Sequence, residues 1–150
     1  MEQEGVNYMR EILFRAKAIN RFEGSEYRTK YKNGDWVYGL IERLYNERFD
    51  LPATMINTNG VSDIDVDYKT IGQFTGLVDK NGVKIFEGDI VLKRTYQGKK
   101  PFPVAYHDGM FHCGWGGGSL TATHGYTLAD KQIEVIGNVY DNSNLLEDKK

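Results

Sequence analysis

VDYKTIGQFTGLVDKNGVKIFEGDIV, residues 66–91, decides the fold class because it holds a hairpin signal, a second tight turn and a strand entry in one short stretch. Asn81-Gly82 is the dipeptide favoured in two-residue hairpin loops, where both central residues need positive φ, and it lies between the apolar runs 74–78 and 83–86. Asp79-Lys80-Asn81-Gly82 equally suits a three-residue loop with a left-handed Gly82, which moves every pairing by one position. Glu87-Gly88-Asp89 then reverses the chain before Ile90-Val91-Leu92, an entry common in small SH3-like barrels. Residues 71–92 should therefore form consecutive antiparallel strands, with Leu77, Ile85, Ile90 and Leu92 in the core.

Outward from this stretch, alternation and turn punctuation continue. Phe14, Ala16 and Ala18 alternate with Arg15 and Lys17, the period of a half-buried strand. Asn33-Gly34 predicts a hairpin over 27–40 that gathers Tyr31, Trp36 and Tyr38 on a core face and turns Arg28 and Lys30 the other way. Asp108-Gly109 predicts a third hairpin, with Tyr106 opposite Phe111. The flanking segments 95–100 and 114–119 read as loops, being rich in glycine and lysine. Residues 40–50 fit either a helix, with Leu40, Ile41, Leu44 and Tyr45 at helical spacing, or a strand continued from Trp36 to about Tyr45; the strand is preferred.

Four blocks resemble the YopX-like proteins of bacteriophages and prophages. MREILFRA (9–16) resembles the opening strand of that family, and WVYG (36–39) its aromatic strand. The central block is similar throughout, and IEVIGNVYDNSNLL (133–146) resembles the closing strand and turn-like tail. The resemblance implies one β domain over residues 9–146, an N-terminal extension at 1–8 that packs little and a short tail at 147–150. The chain departs from the family pattern at Lys17-Ala18, where Trp-Asp is usual, and at Ser143, where proline is usual. It implies no activity and no site residues. The expected fold is mainly β, with an SH3-like barrel or roll in the second half extended by N-terminal antiparallel strands.

Composition agrees with a single folded unit: 150 residues, 40% hydrophobic and 13% aromatic, with ten tyrosines that favour strands. Nineteen basic residues against 21 acidic leave a net charge of -2, so no global field attracts nucleic acid or an acidic membrane. The lone Cys113 cannot form an internal disulfide, the N-terminus lacks a signal-peptide pattern, and no apolar run spans a bilayer, which leads us to expect a cytoplasmic protein.

Chemical constellations are sparse. Asp63, Asp65 and Asp67 share a strand face on which a hard cation could sit, but the calcium-loop spacing fails at Tyr68 and Phe74, and three carboxylates facing water to block edge pairing explain them better. His107, His112, Cys113 and His124 fit no zinc module; the two histidines lie diagonally on one face while Cys113 turns inward as a small hydrophobe. Ser119, His124 and Asp130 can be drawn as a relay, yet Ser119 has no strand-to-helix elbow. The run 114–119 lacks the lysine of a phosphate loop. No cofactor or metal is expected.

Binding is therefore the expected role. Tyr96, Lys99, Lys100, Phe102, Trp115 and Tyr126 are the candidate partner-binding residues, with Trp115 either an interface anchor or a cap on the barrel. The expected partner is a host or phage protein, and self-association is an option. The alternative is a single-strand or non-specific nucleic-acid binder using Arg28, Lys30 and Lys32 or the cluster Lys93, Arg94, Lys99 and Lys100.

Overall fold

The computed structural model describes residues 10–20, 31–49, 51–114 and 126–147. The segments 1–9, 21–30 and 115–125, and with them Arg28, Lys30, Trp115, Ser119 and His124, lie outside the described residues. Among the described residues eleven strands run in chain order: β1 Phe14–Lys17, β2 Trp36–Arg43, β3 Ala53–Asn57, β4 Ile64–Val66, β5 Gly72–Val78, β6 Lys84–Phe86, β7 Asp89–Thr95, β8 Gly98–His107, β9 Met110–Cys113, β10 Tyr126–Thr127 and β11 Glu134–Asn138. They form two antiparallel sheets, ordered β4-β3-β2-β1-β5-β6 and β10-β9-β8-β7-β11. The described residues contain short 3-10 turns and no α-helix.

The first four strands nearly close on themselves. Val66 at the outer edge of β4 bridges Ala18 just past β1, Ile19 N–H donates to the Asp65 carbonyl at 2.8 Å, and Asp67 N–H donates to the Lys17 carbonyl at 2.8 Å. Four strands leave little interior, and the residues that fill it are correspondingly small: Ala16, Ala18 and Ala53 beside Val37, Met55, Ile64 and Val66. The edge we expected the three aspartates to protect is thus largely paired. Tyr68 is exposed and stacks on Tyr45 with centroids 4.5 Å apart.

The strand partner of Trp36 differs from expectation. Asn33-Gly34 does form a turn, with Asp35 N–H donating to the Lys32 carbonyl at 3.0 Å, but β2 pairs with β1 in the register Lys17↔Trp36, Ala16↔Val37 and Phe14↔Gly39. Tyr31 and Lys32 are not in strand. Val37, not Trp36 or Tyr38, points inward, because only small β1 residues oppose it there. Strand β2 ends at Arg43 and a 3-10 turn follows at Glu47–Phe49, so the preferred strand holds as far as Arg43, while Leu40, Ile41, Leu44 and Tyr45 are not helical.

In the central stretch the three-residue loop is realised. Asp79 N–H donates to the Val83 carbonyl at 2.8 Å, Gly82 N–H donates to the Asp79 carbonyl at 3.0 Å, and Gly82 takes φ +79°. A register shift between Phe74 and Val78 rotates Leu77 out to 37% exposure, which corrects its assignment to the core. Ile85 and Ile90 are fully buried, whereas Leu92 is half-buried, because Val91 and Lys93 are the residues of β7 that point inward. After Gly88 the chain changes sheets: β7 pairs with β8 and β11, not with β6.

Asp79 fixes this corner. Its Oδ1 accepts from Asn81 and Val83 N–H at 2.8 and 2.9 Å, and its Oδ2 accepts from Val135 N–H on β11 at 2.9 Å. Burial opposes its ionisation, but the backbone donors of Val135, Val83 and Asn81 outweigh that and hold the carboxyl below 3.8. A depressed carboxyl contributes stability that is present above the unfolded pKa and is lost as pH falls through the folded one. Asp79→Asn should therefore cost about 1.5–3 kcal/mol near neutrality, and the penalty should shrink in acid. Urea melts of both proteins across pH check this; a penalty that stays constant with pH would contradict it.

The two sheets meet at Arg15. Its Nη2 lies 2.6 Å from Asp89 Oδ1 and donates to the Glu87 carbonyl at 3.4 Å, and the guanidinium sits 4.6 Å from the Trp36 ring and 5.0 Å from the Phe86 ring. So β1 is buried on both faces, not one. The C-terminal segment laces the junction: Asp141 pairs with Lys17 and accepts from Trp36 Nε1 at 3.3 Å, and the Tyr140 hydroxyl donates to the Lys69 carbonyl at 3.1 Å.

Candidate functional site

The residues that sequence reading brought together fall into different environments. Tyr96 is 91% exposed at the β7–β8 turn. Residues 95–100, expected as a loop, are mostly strand: the turn is Tyr96-Gln97 alone, held by Thr95, whose hydroxyl donates to the Gly98 carbonyl at 2.9 Å and accepts from Gln97 N–H at 3.1 Å. Adjacent in β8, Lys99 and Lys100 point to opposite faces and cannot grip one ligand together. Phe102 is half-buried against Ile85, Val91 and Val104 and their neighbours, so it serves the second core rather than a free surface. Trp115 lies outside the described residues; Tyr126 pairs with Cys113 in register.

Lys93, placed by sequence in the exposed basic cluster, turns inward at 8% exposure and binds Asp130 at 2.8 Å. Lys93 in turn holds the Asp130 carboxyl below its ordinary value. Asp130 is therefore committed to a structural ion pair.

The β8–β9 hairpin follows its expected register, with Tyr106 opposite Phe111 and His107 opposite Met110. The His107 and His112 rings are 6.1 Å apart on one face. His112 is buried, not on a solvated face, and burial followed by the neighbouring His107 lowers its pKa from 6.5, favouring the neutral ring. Cys113 is fully buried, which pushes its thiol up to about 11 and keeps it protonated at neutral pH. Among the described residues no group of three His, Cys, Asp or Glu converges as a metal site.

A surface that sequence reading missed lies where the two hairpins approach. A recess of about 530 Å³ is lined by Arg10, Glu11, Phe74, Thr75, Gly76, Val78 and Lys84. Leu77, Val78 and Val83 are exposed on the hairpin that forms one side of it. Arg10 connects this recess to the other hairpin, because its guanidinium lies 5.5 Å over the Phe111 ring, itself edge-on to the exposed Tyr106 at 5.0 Å. Met110, 59% exposed, stands at the same hairpin's tip. Lys84 binds Glu11 at 2.6 Å on the rim. On the recess side β1 pairs with β5 only at Gly72 and Gln73, with Phe74 N–H donating to the Leu13 carbonyl at 2.8 Å. Among the described residues no strand continues that pairing along 75–78. The signal was present as Val78 and Val83 in the apolar runs flanking Asn81-Gly82, but the face that Val78 occupies depends on the shifted register after Phe74.

With the fold and these surfaces in hand, similarity to known proteins takes on structural meaning. The model of the family described as YopX protein matches residues 14–147, from the first residue of β1 to the residue after the last 3-10 turn, Ser143–Leu146. The chain belongs to the YopX family. The match begins at Phe14, five residues beyond the Met9 start that the opening block implied. The YopX chain is also similar to the crystal structure of protein EF1440 from Enterococcus faecalis, with TM-score 0.51 and 25% identity over 93% of this chain and 100% of that one. No curated protein matches it. No helix among the described residues of this YopX protein is long and apolar enough to cross a membrane.

Proposed function

We propose that this YopX protein is a phage- or prophage-encoded accessory protein acting in the host cytoplasm as a non-catalytic β module, its second half an SH3-like roll, that binds another protein. The observation that carries this reading is the continuity of exposed apolar side chains across two hairpins through Arg10. Aromatic, methionine and arginine side chains around a recess are the composition that distinguishes protein interfaces from ordinary surface. Among the described residues no strand pairs with 75–78 on the β1 side of β5, which supports a partner that supplies an extended segment with apolar side chains. The buried, protonated Cys113 and the committed Asp130 support the non-catalytic part of the reading.

Val78→Asp and Met110→Asp change exposed positions, so each should leave the thermal midpoint within a few degrees of the parent. Each should weaken recovery of the partner at least about tenfold in affinity capture from the host, as expected when a charge enters an apolar contact. Recovery of the same partner by both variants would reject the reading.

A further inference from the structure

A second surface, on the opposite end of the molecule's second sheet, points to a different ligand. Arg94 and Lys99 are direct cross-strand partners, and both line a recess of about 180 Å³ with Lys80, Leu92, Gln132 and Glu134. Like charges placed directly opposite one another destabilise a strand pair. The neighbouring pair, Lys93 opposite Lys100, shows how the fold handles this: Asp130 neutralises Lys93 at 2.8 Å, and Lys100 bonds Gln97 at 2.5 Å. Among the described residues no carboxylate pairs with Arg94 or Lys99. The one carboxylate in the recess, Glu134, is taken by Lys80 at 2.5 Å. Three cations and one carboxylate thus line the recess beside Leu92 and Gln132, and the opposed Arg94–Lys99 pair borders it.

Just past this pair, the hairpin turn presents Tyr96, 91% exposed, with its hydroxyl accepting from Gln97 Nε2 at 3.2 Å. A cationic site next to an open aromatic ring combines phosphate attraction with a stacking platform, the two requirements for gripping a single strand. We infer that the Arg94–Lys99 recess binds a backbone phosphate of single-stranded nucleic acid while Tyr96 stacks on an adjacent base. This goes beyond protein docking at the Arg10 surface, and neither site shares a residue with the other. It also relocates the basic cluster: Lys93 and Lys100 are excluded, and Lys80 enters from the β5–β6 loop.

The test is fluorescence anisotropy of a labelled single-stranded DNA of about 12 nucleotides with the full chain, as salt is raised from about 50 to about 200 mM. Binding should weaken with a log–log slope near −0.7, the value for about one phosphate on a single strand. Arg94→Gln combined with Lys99→Gln should raise Kd at least about tenfold and flatten the slope, and Tyr96→Ala should raise it about tenfold. Lys100→Gln should leave binding unchanged. Because the paired cations repel, Arg94→Gln and Lys99→Gln should each keep or raise the thermal midpoint, which separates lost binding from lost folding. Absence of binding at the lowest salt would overturn the inference. So would binding that survives the double substitution or is lost equally with Lys100→Gln, or competition by a polyglutamate peptide as effective as that by unlabelled oligonucleotide.

Discussion

Replacing Gly39 with alanine is expected to cost at least about 4 kcal/mol, a loss in the range reserved for severe steric or burial faults. Gly39 lies in β2 between Phe14 of β1 and Asn57 of β3. A Cβ there would overlap the Ile56 carbonyl oxygen and lie 2.8 Å from the Asn57 Cα. Both are backbone atoms of a strand already paired on its other edge with β4, so no side-chain movement relieves the clash. Gly82→Ala is the contrasting control. A Cβ at Gly82 meets nothing within 4 Å, and only its φ of +79° is strained, so that change should cost about 1–2 kcal/mol. Urea denaturation of both variants checks the order; a Gly39→Ala penalty no larger than that of Gly82→Ala would contradict the packing described for β2 and β3.

The other large effect is expected at the sheet junction, where Arg15→Met should cost about 3–5 kcal/mol near neutral pH. Asp89 is 2% exposed and, among the described residues, would keep its bond from Phe86 N–H, at 2.7 Å, but no cation once the guanidinium 2.6 Å away is removed. Burial already raises the Asp89 carboxyl above 3.8 despite Arg15 and that backbone donor. A raised folded value means that the native state holds the proton more tightly than the unfolded chain. Stability from this group is therefore complete below the unfolded pKa and is lost as pH rises through the folded value. Removing Arg15 raises that value further, so the Arg15→Met penalty should be smaller at about pH 4.5 than at about pH 7. Adding Asp89→Leu should restore part of the loss, because a buried pair replaced as a unit costs less than one partner stranded. A penalty that is independent of pH and undiminished in the double variant would show that Arg15 acts by packing on Trp36 and Phe86 alone.

Local signals in the sequence were read successfully wherever the turn determined the pairing. Asp108-Gly109 specified a two-residue hairpin, and Tyr106 meets Phe111 as alternation required. The closing block became β11 and a 3-10 turn that includes its two leucines. The unread part is non-local. Nothing near Trp36 announces that β1 rather than the adjacent segment will be its partner, and Arg15 reads as the polar face of a half-buried strand until Asp89 and Trp36 arrive from distant positions. The shifted pairing after Phe74 had the same effect on Leu77, since one displaced residue exchanges the faces of a strand.

The candidate sites show the same division. Tyr96 and Lys99 were named from composition and do lie exposed, but composition could not separate Lys99 from Lys100, which alternation sends to opposite faces. The Arg10 surface was invisible for a stronger reason. It assembles residues 10 and 11 with 74–84 and 111, and only the packing of two hairpins brings them together.

The proposed role stands or falls on what touches the exposed apolar side chains at the end of β5. A photo-crosslinking amino acid at Val78, with the same group at exposed Val61 as control, should yield one protein adduct in the host from Val78 alone, and Val83→Asp should abolish it. Adducts only between two copies of the chain, equal adducts from both positions, or none from Val78 would contradict a partner-binding surface there.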